Sequence, residues 1–121
     1  MNSDHRAADA AALLATARRD HRPIAGLPES CLPRDIDQAY AAQRGFVERI
    51  LQDEGGQAVG YKIGCTNPLV QGLLDVDEPF YGRILSSSVL PSGTALRREH
   101  VNLCCIEAEL AFELAEDLPV A

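Results

Sequence analysis

The sequence predicts a mixed α/β fold of the α+β type, in which two helices precede several short strands. Two observations indicate the helices: alanine and leucine dominate residues 7–19, and apolar residues recur at three- and four-residue spacings between residues 35 and 52. A third observation indicates strands, because apolar side chains alternate with a period of two in residues 57–64. At 121 residues the chain has the length of at most one ordinary domain.

The two predicted helices have recognisable ends. The first covers about residues 7–19 and is followed by a connection that contains three prolines. Asp35 or Asp37 can cap the second helix, which continues to about residue 52. The pair Gly55-Gly56 supplies the expected C-terminal stop.

The glycine-bounded segment 57–64 predicts the first strand. Because side chains alternate in a strand, Lys62 lies on the face opposite to the apolar side chains of Val59, Tyr61 and Ile63. Asn67-Pro68 then marks a turn or helix start, followed by a short helix at 69–74 and an irregular acidic loop at 75–79. Further short strands are predicted at 83–85 and 88–90, with a turn at 91–93.

The last strand-like segment, residues 106–114, holds Glu107 and Glu109 two residues apart. In a strand both point to one face, with Cα atoms roughly 6.6 Å apart at a rise of about 3.3 Å per residue. Two such carboxylates can bind one divalent cation, although a magnesium site would need further oxygen ligands. A solvated acidic face of a strand shows the same pattern. The other face is apolar, formed by Ile106, Ala108, Leu110, Phe112 and Leu114.

Charge and cysteine usage exclude several classes of protein. The formal net charge is −7 and the 11 basic residues form no run longer than a pair, which argues against nucleic acid or an acidic membrane as a partner. The four cysteines show neither metal-binding spacing nor a disulfide framework, so reduced thiols and a cytoplasmic location are expected. The N-terminus lacks the basic-then-apolar order of a secretory signal, and no apolar run approaches the roughly 18 residues of a membrane span.

Four segments in a fixed order make the chain similar to a known family. Over residues 35–119 it resembles the N-terminal part of the 2-keto-4-pentenoate hydratase and 4-oxalocrotonate decarboxylase family, a branch of the fumarylacetoacetate hydrolase superfamily. The segments are Ala39-Tyr40-Ala41-Ala42-Gln43, Gly60-Tyr61-Lys62-Ile63-Gly64-Cys65-Thr66, Val76-Asp77-Glu78-Pro79-Phe80-Tyr81-Gly82 and Ile106-Glu107-Ala108-Glu109-Leu110-Ala111-Phe112.

The resemblance implies a set of site residues and a domain organisation. By it, Glu107 and Glu109 are the first two carboxylate ligands of a catalytic Mg²⁺ or Mn²⁺, Lys62 is the active-site lysine, and Asp77 is an acidic residue of the substrate-side loop. Residues 1–100 would form an N-terminal helical α+β region, and residues 101–121 would begin the catalytic mixed β-roll. The third metal carboxylate and the rest of the roll are expected beyond these 121 residues, so the chain appears truncated.

The resemblance also implies an activity. The expected enzyme is a metal-dependent hydratase or lyase of aromatic meta-cleavage catabolism, which acts on a 2-oxo acid of the 2-hydroxypenta-2,4-dienoate type through a metal-stabilised enolate. Lys62 would anchor the substrate carboxylate or shuttle a proton. The full-length protein is expected to be a homo-oligomer.

The residues leave alternatives open. Several hydratases of the family carry an aspartate where this chain has Phe80, which favours a 4-oxalocrotonate-type decarboxylase, a tautomerase or an acylpyruvate hydrolase. A non-catalytic relative with a structural or assembly role is a further alternative. Without the resemblance, Lys62 would be interpreted as a solvent-exposed surface lysine and Asp77 as an ordinary turn residue. Cys65 would be interpreted as a small hydrophobic residue.

Overall fold

The computed structural model describes residues 3–101 and 105–116, which form three α-helices, two β-strands and two single 3₁₀ turns. The predicted α+β character is therefore confirmed. In chain order the main elements are α1 (Ser3–Arg19), α2 (Ile36–Glu54), β1 (Ala58–Gly64), α3 (Pro68–Leu74) and β2 (Phe80–Leu85).

Helices α1 and α2 pack closely because small residues meet at their contact. A Cβ placed on Gly45 would lie 3.1 Å from the Cβ of Ala11, so the two backbones approach as near as side chains allow. Ala10 and Ala11 are completely buried. The alanine-rich composition that favours helix α1 thus also permits its contact with α2.

The termini of α2 follow the predicted caps. Of the two candidates, Asp35 is the N-cap, because its carboxylate accepts a hydrogen bond of 2.8 Å from the backbone N–H of Gln38. The Gln38 side-chain amide donates a second bond of 2.7 Å to the same carboxylate. At the other end Gly55 has φ 75°, a conformation that side chains disfavour, and its N–H bonds the carbonyl oxygen of Leu51.

Strands β1 and β2 form an antiparallel two-stranded sheet. Lys62 lies opposite Gly82 and Tyr61 opposite Arg83, while one register shift between Ala58 and Gly60 inserts an extra residue into β1. Directly opposed residues point to the same face. One face therefore carries Lys62, and the other carries Tyr61 with Arg83.

The buried residues other than Ala11 form two small clusters. One joins α1 to the following loop and α2, and the other joins α1 and α2 to the end of β2. The first contains Ala7, Ala10, Cys31 and Ala42 with Leu27 and Ala41 against it. The second contains Ala15, Ile50 and Leu85 with Phe46, Val47 and Leu51 against it. The sheet is thereby anchored to the helices through the C-terminal end of β2.

Two predicted boundaries and one predicted strand differ from the structure. Helix α1 begins at Ser3, earlier than the predicted residue 7, and β2 begins at Phe80, earlier than the predicted residue 83. Each element extends beyond the residues whose sequence pattern indicates it. The strand predicted at 88–90 is wrong. The chain makes a 3₁₀ turn over Ser86–Ser88, and the Ser86 N–H bonds the carbonyl oxygen of Gln57 at 2.9 Å, which ends the sheet there.

The strand predicted over 106–114 is also wrong for this structure. Residues 105–114 form no strand, and residues 102–104 lie outside the described residues. A strand requires a partner for its backbone N–H and C=O groups. Within the described residues β1 and β2 pair only with each other, so this segment lacks such a partner.

Among the described residues, no helix has the length and the apolar composition needed to cross a bilayer.

Candidate active site

Three of the four predicted site residues converge on one point. The Nζ atom of Lys62 lies 2.5 Å from Oε1 of Glu109 and 3.5 Å from Oε2 of Glu107. Glu109 stands 47 positions after Lys62 in the chain, so the fold creates this contact. The two carboxylates reach the same nitrogen, as side chains on one side of an extended segment can.

Strand β1 and the acidic segment 105–116 position these groups. Pairing with β2 fixes the direction of the Lys62 side chain, because strand residues alternate between faces. All three side chains are accessible, with exposed fractions of 49% for Lys62, 63% for Glu107 and 54% for Glu109. The cluster is therefore open to a ligand from solvent.

The electrostatic partners of Lys62 favour its charged form. The hydrogen bond with Glu109 raises the pKa of Lys62 most, desolvation opposes this, and the charges of Glu109 and Glu107 raise it further. The side chain is thus an ammonium group at neutral pH.

The two carboxylates meet part of the requirement of a divalent metal. Their oxygens are the hard ligands that Mg²⁺ and Mn²⁺ prefer, and both already lie close to one cationic atom, so both can reach one metal ion. Among the described residues no group of three or more His, Cys, Asp or Glu side chains is placed to hold a metal. Glu107 and Glu109 thus fit two positions of an octahedral site.

Glycines surround Lys62 on its face of the sheet. Gly60 and Gly64 precede and follow it by two residues, and Gly82 lies directly opposite on β2. A Cβ on Gly82 would meet no atom within 4 Å, which leaves open space beside the lysine. A planar ligand can therefore approach the backbone at this face.

Phe80 occupies one end of this face. It is paired with Gly64, and a Cβ on Gly64 would lie 3.2 Å from the Phe80 ring. The position at which several hydratases of the family carry an aspartate is thus an aromatic side chain beside the site.

Asp77 is not brought to the cluster. It lies in the exposed turn between α3 and β2, and in the described part of the chain its carboxylate has no hydrogen bond or ion pair. The preceding α3 ends at Leu74, and its C-cap residue Asp75 has a φ of 54°, which turns the chain out of the helix. The role predicted for Asp77 stays a prediction.

An aromatic cluster on the opposite face was missed by sequence analysis. The rings of Tyr40 and Tyr81 stack with centroids 4.6 Å apart, and Tyr61 contacts Tyr81 edge-on at 5.5 Å. The Gln43 amide donates a 2.8 Å bond to the Tyr81 carbonyl oxygen, and the Arg83 guanidinium lies 4.1 Å from the centre of the Tyr61 ring. Nothing in the sequence around Tyr40 indicates its partner Tyr81, which follows 41 positions later.

Comparison with curated proteins identifies relatives of the chain. It is 38% identical over 109 residues to 2-keto-4-pentenoate hydratase 2 of Dechloromonas aromatica (strain RCB), a match that covers 90% of the chain and 41% of the relative. It is 35% identical over 118 residues to 2-keto-4-pentenoate hydratase of Burkholderia vietnamiensis, covering 98% of the chain and 45% of the relative. The chain thus spans less than half the length of these two relatives.

A further relative has a different named substrate. The chain is 37% identical over 83 residues to 2-oxo-hept-4-ene-1,7-dioate hydratase of Escherichia coli, covering 69% of the chain and 31% of the relative. No protein-family model and no solved structure matches the chain. Identities at this level over nearly the whole chain show common descent. The chain is therefore homologous to the 2-keto-4-pentenoate hydratases.

Proposed function

We propose that the protein containing this chain is a metal-dependent hydratase that acts on a 2-oxo acid of the 2-hydroxypenta-2,4-dienoate type in aromatic catabolism. The observation that carries the proposal is the meeting of Lys62, Glu107 and Glu109 at one exposed point. The names of the relatives, which are hydratases of unsaturated oxo acids, support the reaction class.

The two glutamates would hold the metal, Mg²⁺ or Mn²⁺. When bound, such a cation supplies Lewis acidity that stabilises negative charge on an enolate oxygen. Glu107 and Glu109 lie close enough to share one cation, and their exposure leaves further coordination positions to water, to substrate oxygens or to other protein groups.

Lys62 would bind the carboxylate of the substrate. Its ammonium group stands on a glycine-lined face, so an anionic ligand can lie flat against the sheet and contact Nζ. Charge-assisted bonds of this kind orient a substrate as well as bind it. Asp77, in the exposed turn before β2, is proposed to contribute from the substrate side, as the resemblance implies.

A decarboxylase or an acylpyruvate hydrolase is the second candidate. Phe80 favours it, because an aromatic ring against Gly64, on the face of the sheet that carries Lys62, cannot polarise a water molecule as a carboxylate does. Incubating the protein as expressed in its host with a dienol substrate and with 4-oxalocrotonate separates these reactions. Hydration consumes the conjugated double bond without gas release, whereas decarboxylation releases carbon dioxide.

Isothermal titration with Mg²⁺ and oxalate, a mimic of a 2-oxo acid enolate, tests the site in the 121-residue chain. Oxalate is expected to bind in the presence of Mg²⁺ and at least about tenfold more weakly to Glu107→Gln or Glu109→Gln, since each removes a charged ligand. Glu113→Gln, in the same segment but without an ion pair among the described residues, is the matched control. Equal binding by all variants would contradict the proposal.

We also propose a cytoplasmic location. Cys31, Cys65 and Cys105 are free thiols, which persist in a reducing compartment.

A further inference from the structure

The ammonium of Lys62 stands where the proposed metal would be bound. It contacts Oε1 of Glu109 at 2.5 Å and lies 3.5 Å from Oε2 of Glu107. Both oxygens belong to the carboxylates that the proposed function assigns to a divalent cation. One ammonium group thus already contacts both acids and offsets one of their two negative charges.

The lysine and a divalent cation cannot both occupy this position. A cation about 2.1 Å from Oε1 of Glu109, the usual Mg²⁺–oxygen distance, would lie within about 4.6 Å of Nζ of Lys62. Near that separation the ion and the ammonium repel each other and compete for the same oxygen. Metal binding therefore weakens the hold of the carboxylates on Lys62.

The surroundings of Lys62 allow its side chain to move. Its cross-strand neighbour is Gly82, and a Cβ at that position would meet no atom within 4 Å. The neighbours along β1 on the same face are also glycines, Gly60 and Gly64. No side chain at these three positions holds the lysine against the glutamates.

We propose that Lys62 and the divalent cation are alternative partners of Glu107 and Glu109, so that metal binding releases the ammonium to receive an anionic substrate. Without metal, the Lys62 ammonium offsets one of the two carboxylate charges and is itself held in the ion pairs. With metal, the freed ammonium faces the open space beside Gly82. Binding is therefore ordered, with the metal before the 2-oxo acid. This inference rests on the metal site of the proposed function.

The sequence provides a direct reporter, because Lys62 is the single lysine of the chain. Reductive methylation with ¹³C-formaldehyde keeps its charge and gives one lysine signal by NMR, apart from that of the terminal amine. Mg²⁺ should shift this signal towards its position in the Glu107→Gln/Glu109→Gln variant. In that variant Mg²⁺ should cause no shift, whereas Glu113→Gln should respond as the wild-type chain does.

The affinity for Mn²⁺, measured from the electron paramagnetic resonance of the free ion, gives a second readout. Lys62→Met should bind Mn²⁺ about threefold more tightly, since an exposed competing ion pair is lost, and Lys62→Arg should stay close to wild type because it retains a cation. Mn²⁺ binding in a chain whose lysine signal does not shift with Mg²⁺, or weaker Mn²⁺ binding by Lys62→Met, would overturn this inference and leave the metal site standing. Absence of Mn²⁺ binding in every variant would overturn both this inference and the proposed metal site.

Discussion

Lys62 illustrates how single residues define this site. Its neighbours on the same face are glycines, and its partners Glu107 and Glu109 come from a distant segment. From the sequence, alternation predicts which face the lysine occupies, and the structure agrees. Its pairing with the two acids was not predictable from spacing, because local patterns hold no information on contacts 47 positions apart.

Gly82 offers a test of the open face at the residue level. In Gly82→Val we expect Mg²⁺-dependent oxalate binding to weaken at least about tenfold, because the new side chain fills the space beside Lys62. The sheet should persist, since valine is favoured in strands. Gly72→Val is the matched control, as a Cβ on Gly72 also meets nothing within 4 Å. Unchanged oxalate binding in Gly82→Val would place the ligand elsewhere.

Ile50 tests the core at the same scale. It is 2% exposed and packs with Ala15 and Leu85, which joins both helices to β2. Ile50→Ala should lower the free energy of unfolding by about 2–4 kcal/mol through lost burial and a residual cavity. Urea denaturation measures this, with Ile63→Ala, at a side chain 61% exposed, as the control expected to change little.

Helix α2 is the element that the sequence predicts best. Its apolar spacing, the Asp35 cap and the glycine stop all act locally, so each is readable without tertiary information. The segments 88–90 and 106–114 were mispredicted as strands for the opposite reason. A strand depends on a partner, and alternation alone does not reveal whether one exists.

The N-cap provides a prediction at the level of the element. Asp35→Ala should destabilise the chain by about 1 kcal/mol, because the N–H of Gln38 loses its acceptor and the Gln38 amide loses a partner. Thermal unfolding followed by circular dichroism measures the shift. Asp37→Ala, in the first turn but not at the cap, should have a smaller effect. Equal losses in both variants would show that the helix dipole, and not the cap, carries the stabilisation.

The whole molecule exposes much apolar surface for its size. In the described part of the acidic segment, Ile106 is 94% and Phe112 86% exposed, and the sheet also presents Tyr61 and Ile63 to solvent. Such a surface favours association. It also keeps open the structural or assembly role, in which the segment pairs with another subunit.

Sedimentation velocity tests whether the chain associates through this apolar surface. We expect the 121-residue chain to self-associate with rising concentration, and Ile106→Ser/Phe112→Ser to remain monomeric to about tenfold higher concentration, since two exposed apolar side chains are removed. Thr94→Ser, in the turn at residues 91–94, is the control. A chain that stays monomeric at all concentrations would argue against association through this segment.

The sequence identifies the residues of the site better than it identifies their contacts. The resemblance named Lys62, Asp77, Glu107 and Glu109 together, and the structure brings three of them to one point. Asp77 remains in an exposed turn. The pairing of Tyr40 with Tyr81 depends on how α2 lies against the sheet, which no local pattern specifies.

The central claim is that Glu107 and Glu109 form a divalent cation site beside Lys62. Bound Mn²⁺ broadens the NMR signals of nearby nuclei, and the single lysine gives one ¹³C-methyl signal after methylation. Broadening of this signal therefore measures both whether the cation binds and whether it binds beside Lys62. We expect strong broadening at substoichiometric Mn²⁺ in the wild-type chain and in Glu113→Gln, and no broadening in the double variant Glu107→Gln/Glu109→Gln. A lysine signal that Mn²⁺ leaves sharp, or one broadened equally in all three proteins, would contradict the account.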